Sequence, residues 1–166
     1  TVELSVSVTE NGGVEERSGA VNLHVDGDFL IEIPVKQSGL YMDMTESRFD
    51  FESGAASRTV SMSTNLSFWN VLEKPSWVSV SPESGEAGEH TLTINVEDNP
   101  NTTKREGRVV VGNQGLSLAD TLWLTQEGKW FGSLETVLQF ENVASSNTLD
   151  ISTDGDWTVT TSDSWI

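Results

Sequence analysis

The chain has 166 residues, with 26 acidic and nine basic side chains and a formal net charge of −17. That balance argues against nucleic acid or an anionic membrane surface as partner, because phosphate recognition needs clustered basic residues. There is no cysteine, so disulfide and thiolate chemistry are absent, and no apolar run approaches the length of a membrane-spanning helix.

The apolar pattern has a period of two almost throughout, and no stretch carries a helical stripe. Val2, Leu4, Val6 and Val8 predict a strand over 2–8. Strands over 20–25 and 29–36 follow, separated by Asp26-Gly27-Asp28, a pair-and-glycine sequence suited to a tight hairpin turn. Seven more are predicted near 48–53, 58–64, 68–72, 76–81, 90–97, 107–112 and 117–125. The stretch Pro75 to Gly88 is the landmark among them: Trp77, Val78 and Val80 run into Ser81-Pro82 and two glycines, so an apolar strand stops at turn chemistry. Short strands at regular spacing with Ser, Thr, Gly and Asn between them indicate an all-β antiparallel sandwich.

The pattern repeats. Arg17-x-Gly19 followed by Val21 and Leu23 matches Arg105-x-Gly107 followed by Val109 and Val111, displaced by 88 residues. Gln37-x-Gly39 matches Gln126-x-Gly128, displaced by 89, one extra residue lying in the loop between Gly112 and Thr121. In the other half, Phe51, Val60, Met62, Trp69 and Trp77 fall on Phe140, Leu149, Ile151, Trp157 and Trp165. The expected organisation is the C-terminal half of one unit over 1–39, a complete unit over 40–128 and the N-terminal half of a third over 129–166. Both ends read as cuts through a longer protein, and the two halves are expected at opposite poles of the middle unit, not completing each other.

Trp69-x-Val71, Ser76-Trp77-Val78 leading to Ser81-Pro82-x-Ser84-Gly85, the strand TLTINV, Arg105-x-Gly107 and the ending Thr125-Gln126-x-Gly128 together resemble the Bacteroidetes-associated carbohydrate-binding often N-terminal domain, BACON. The resemblance implies an immunoglobulin-like sandwich in secreted or surface-anchored bacterial proteins that handle complex polysaccharides, often beside glycosidase domains. It also implies sugar binding or a spacer role.

Read for themselves, Trp69, Trp77, Trp157 and Trp165 alternate with apolar neighbours and are expected in sandwich cores, each burying about 150–250 Å². Arg17 and Arg105 suit a salt bridge or a backbone cap, and Gln37 and Gln126 suit an amide that satisfies a sheet edge or turn. Trp123, between Leu122 and Leu124, points away from the core. Tyr41 and Trp130 lie one repeat apart, just beyond the Gln-x-Gly landmarks, with Phe131 next to the latter. Exposed aromatic plates suit pyranose rings, so Trp123, Trp130 and Tyr41 are the carbohydrate-binding candidates; wedging between consecutive domains is the other use for the two junction residues. His24 and His90 belong to no ligand cluster, and no nucleophile elbow or phosphate loop occurs. The triplets Asp26-Gly27-Asp28 and Asp154-Gly155-Asp156 supply too few oxygens for calcium and read as tight turns with positive backbone angles. The expected function is a non-catalytic spacer or display unit of a bacterial surface or secreted polysaccharide-processing protein. A direct glycan-binding module and a protein–protein adhesin or scaffold are the alternatives. The expected partners are complex polysaccharide or mucin glycan and adjacent domains of the same chain; no cofactor and no metal is assigned.

Overall fold

The computed structural model describes residues 3–133 and 137–166, so Val2 lies outside the described residues. It begins with a ribbon of β1 (Arg17–Val25) and β2 (Asp28–Gln37). Asp26 and Gly27 between them have φ of 52° and 94°, the left-handed pair that a two-residue hairpin needs.

The middle unit comprises β3 (Met42–Met44), β4 (Arg48–Phe51), β5 (Ala56–Thr64), β6 (Trp69–Glu73), β7 (Val78–Ser81), β8 (Ser84–Gly85), β9 (Gly88–Val96), β10 (Arg105–Asn113) and β11 (Leu118–Gln126). They form two sheets, ordered β3-β5-β9-β7 and β4-β11-β10-β6-β8. The opening segment serves both: Thr45 N–H donates to Ser61 O at 2.9 Å in the first sheet, and Ser47 O accepts from Trp123 N–H at 2.9 Å in the second. The predicted strand over 48–53 therefore captures only the second part of a divided strand. Its pairing with β11 is parallel, an exception to the antiparallel expectation. Two sheets sharing a divided first strand make an immunoglobulin-like sandwich. The loop expected to hold the extra residue of the repeat carries a 3-10 turn, Gln114–Leu116, where the first ribbon has its two-residue turn.

The alternating pattern explains the core. Val60, Met62, Leu92 and Ile94 face inward from one sheet, and Phe49, Val109, Val111, Leu122 and Leu124 from the other, all buried. Trp69 is fully buried, its Nε1 donating to Glu86 O at 3.0 Å. Its indole lies so close over Gly85 that a Cβ there would come within 2.8 Å of the ring. That close approach is the physical reason for the glycine in the Ser-Gly landmark. Gly107 does the same for Pro75 and Trp77, which would collide with a side chain at 107. Trp77 is partly buried against the core, with the Arg105 guanidinium 4.4 Å from its ring centroid.

Beyond the sandwich, β12 (Phe131–Ser133) and β13 (Ile151–Thr153) form a second ribbon. The two ribbons are separate sheets, and neither adds a strand to the other or to the sandwich. Several expectations fail in these flanks. Residues 3–8 form no strand; their counterpart in the middle unit, β9, is held by β5 on one side and β7 on the other, and among the described residues no strand pairs with residues 3–8. Trp157 and Trp165, expected in a core, are 53% and 79% exposed against 0% for Trp69, because no second sheet covers them. Gly155 does not have the positive φ of a tight turn; residues 154–155 form a bend in which the Asp154 side chain makes the bonds.

Candidate functional site

Trp123 lies on the outer face of the five-stranded sheet, 52% exposed between buried Leu122 and Leu124. Strand register places it between two arginines, Arg48 on β4 and Arg108 on β10. Arg108 has its guanidinium carbon 5.8 Å from the indole centroid and forks onto Glu73, with Nε to Oε1 at 2.9 Å and Nη2 to Oε2 at 2.8 Å. Arg48 donates from Nε to Asp50 Oδ1 at 2.8 Å and from Nη2 to Thr125 Oγ1 at 2.7 Å. The Arg108 hydrogen bond holds the Glu73 carboxyl below its ordinary pKa, and the Arg48 hydrogen bond does the same to Asp50. Both carboxylates are ionised at neutral pH, so the arginines flanking Trp123 are each paired. Trp123, both arginines, Glu73 and Thr125 line a groove of about 440 Å³ together with Lys74, Pro75 and Gly107. An aromatic plate with donors and acceptors on both sides can hold a sugar ring.

Tyr41 and Trp130 are not in this groove. Each is about half exposed, immediately before a new strand. Tyr41 donates its N–H to Asn65 Oδ1 at 2.8 Å, and its carbonyl accepts from Thr64 Oγ1 at 2.8 Å. Trp130 donates its N–H to Asp154 Oδ1 at 2.7 Å, and its carbonyl accepts from Thr153 Oγ1 at 2.9 Å. Trp130 and Phe131 also line a cleft of about 680 Å³ with Pro100, Thr102 and Asp156.

The connections rest on two asparagines that the sequence reading passed over. Asn99 is fully buried; its Nδ2 donates to Thr103 O at 3.0 Å and Glu127 O at 2.9 Å, and its Oδ1 accepts from Asn101 N–H at 3.3 Å. Asn11 donates from Nδ2 to Glu15 O at 2.8 Å and Ser38 O at 3.1 Å, and its Oδ1 accepts from Gly13 N–H at 3.2 Å. Residues 11 and 99 differ by 88, the displacement of the arginine landmarks, so a search at that spacing would have found them.

The arginine and glutamine landmarks pair with each other. Arg105 Nε donates to Gln126 Oε1 at 2.9 Å, and Arg105 Nη2 donates to Glu97 O at 2.7 Å. Gln126 is buried, its Nε2 directed at the carbonyls of Ser53, Gly54 and Glu97 within 3.0 Å. Arg17 Nε likewise donates to Gln37 Oε1 at 2.8 Å, with its Nη2 bonded to Thr9 O. Backbone capping, and not an ion pair, is the role of both arginines.

Among the described residues there is no cluster of three or more His, Cys, Asp or Glu side chains placed to hold a metal ion, and no helix long and apolar enough to cross a membrane. A search of curated proteins found no match. Among solved structures, similarity extends to a Bacteroides ovatus GH5 xyloglucanase in complex with a XXXG heptasaccharide, with 20% identity over 52% of this chain and 18% of that one, TM-score 0.47. The chaperone–tip adhesion subunit pre-assembly complex of the Acinetobacter baumannii Csu pili gives 14% identity over 52% of this chain and 56% of that one, TM-score 0.41. A protein from Bacteroides thetaiotaomicron gives 14% identity over 53% and 87%, TM-score 0.36. The chain thus spans less than a fifth of the xyloglucanase and just over half of the chaperone-complex chain. Residues 67–127 match the BACON family model, described as "Putative binding domain, N-terminal". That match runs from just before Trp69 to just past the end of β11, the greater part of the two-sheet unit.

Proposed function

We propose that this chain is a non-catalytic spacer in a secreted or surface-anchored bacterial protein that works on complex polysaccharide, built from the tail of one sandwich (1–39), a whole one (40–128) and the head of a third (129–166). The observation that carries the reading is the absence of slack between units. Only residues 127–130 separate the last strand of the middle unit from β12, and each is held. Glu127 N–H donates to Phe51 O at 2.9 Å, and Lys129 N–H donates to Asn101 O at 2.8 Å. Gly128 lies against the Thr102 backbone so closely that a Cβ would collide with it. Trp130 is bonded to Asp154. A linker with no free residue transmits position instead of permitting reorientation.

A second reading, glycan binding, is favoured by the Trp123 groove. Affinity electrophoresis in gels containing xyloglucan, other plant glycans or mucin separates the two. The spacer reading expects unretarded migration on every glycan. Retardation that is abolished by Trp123→Ala, a change on the outer face that leaves the core intact, would overturn it and establish the groove as a sugar site. A saturable protein partner in pull-down would instead mark an adhesin or scaffold.

A further inference from the structure

The two connections can be superposed bond by bond. At the first, Leu40 N–H donates to Gly13 O at 2.8 Å; at the second, Lys129 N–H donates to Asn101 O at 2.8 Å. Gly39 is pressed against the Val14 carbonyl as Gly128 is against that of Thr102. Asn11 ties the chain's exit at Ser38 to the preceding loop, and Asn99 ties Glu127 to its own. On the far side, Met42 pairs with Thr64 and Asp43 with Ser63, just as Phe131 pairs with Thr153 and Gly132 with Ser152. Asn65 N–H donates to Tyr41 O at 3.4 Å, and Asp154 N–H donates to Trp130 O at 3.4 Å.

We propose that each connection is a preset joint, in which an asparagine on the leaving side, bonded to two carbonyls, and an Asn or Asp turn on the entering side fix consecutive sandwiches at one relative orientation. It rests on the three-unit reading above. Because the same backbone bonds are made at both places, successive units are related by one constant rotation and translation, and a series of them is a periodic rod. The partner that each sandwich pole fits is the first strand and following turn of the next copy.

The latch differs between the two. At the first joint Asn65 is uncharged and turns its Nδ2 back onto Gly39 O at 3.0 Å, while Leu40 packs against the core. At the second, the Asp154 carboxylate accepts from Ser53 Oγ of the middle unit. There Lys129 Nζ lies 2.7 Å from Asp98 Oδ1 and 3.4 Å from Asp154 O. The backbone framework is common, and the side-chain latch is neutral in one place and ionic in the other.

The absence of cysteine allows paired spin labels at introduced cysteines in the whole chain. Asn22→Cys with Ser79→Cys spans the first joint, and Ser79→Cys with Ser152→Cys spans the second. Each pair is expected to give one narrow distance distribution. Asn11→Ala should broaden the first alone and Asn99→Ala the second alone. Since Asn99 is buried and its loss also strains the sandwich, Asp154→Ala, outside the middle unit, is the companion change and should broaden the second distribution with the sandwich's melting temperature unmoved. A broad distribution in the unmodified joints, or narrow distributions that survive Asp154→Ala, would overturn the proposal. Retardation on a glycan gel would overturn the spacer reading and leave these distances untouched, so the two failures are distinguishable.

Discussion

The β1–β2 ribbon and the β10–β11 hairpin are the same structure in two surroundings. Val21 pairs with Ile33 as Val109 pairs with Leu122, Gly19 with Val35 as Gly107 with Leu124, and Arg17 with Gln37 as Arg105 with Gln126. Yet Leu122 is 0% exposed and Ile33 40%, and Gly107 is crowded by Pro75 while Gly19 has open space around it. Pairing, register and the arginine–glutamine bond are thus set within some twenty residues of chain, whereas burial depends on a second sheet contributed from elsewhere. The hairpin is a local property and the core is a tertiary one.

The sharpest way to break the comparison is at the tryptophans. Trp69→Ala should cost about 3–5 kcal/mol, the range for removing a large buried aromatic, seen as a lower urea midpoint for the middle unit. Trp157→Ala, at the corresponding but exposed position, should change the midpoint within about 0.5 kcal/mol. A smaller contrast is expected between the glutamines. Gln126→Ala strips a buried partner from three carbonyls and from Arg105 and should cost about 1–3 kcal/mol, while Gln37→Ala, half buried, should cost less in the same unfolding measurement. Smallest is the response of the joints to acid. Hydrogen bonds from Ser53 Oγ and, next, Trp130 N–H hold the Asp154 carboxyl below its ordinary pKa, with Lys129 adding to the effect. A carboxyl whose folded-state pKa is depressed contributes fully above its unfolded value and loses that contribution as pH falls through the folded one. The spin-label distribution across the second joint should therefore broaden below about pH 4, with Asp98, Asp156 and Lys129 the neighbouring charges. The first joint, latched by Asn65, should not respond, and Asp154→Asn should remove the response from the second.

Much of this was legible in the chain. Alternation placed β5, β9, β10 and β11 to within a few residues, because each is long enough to show a period of two on a half-buried face. The landmarks Arg-x-Gly and Gln-x-Gly marked real contacts, since glycine at 39, 107 and 128 is required by neighbouring atoms, Gly19 in the uncovered ribbon being the exception. What escaped was short or long-range. Met42–Met44 and Ser84–Gly85 are too brief to show a period, so the division of the first strand between two sheets left no trace in the pattern. Asn99 acts through Glu127, 28 residues away, and a lone asparagine in a Pro-Asn-rich loop carries no such information by type. The flanking tryptophans were read as core because sequence pattern specifies which face is apolar and not whether anything covers it. For the candidate groove, Trp123's outward direction followed from alternation; its arginine neighbours depended on the parallel pairing of β4 with β11, which the sequence did not announce.

That parallel pairing has a mechanical consequence. Beyond β3, the chain enters the five-stranded sheet at the Arg48 end of β4 and departs from the Gln126 end of β11, at opposite ends of a ladder running from Arg48–Trp123 to Phe51–Gln126. Tension along the chain therefore loads these rungs together, in shear, and not one at a time as in unzipping, so this ladder resists stretching more than a hairpin of the same length would.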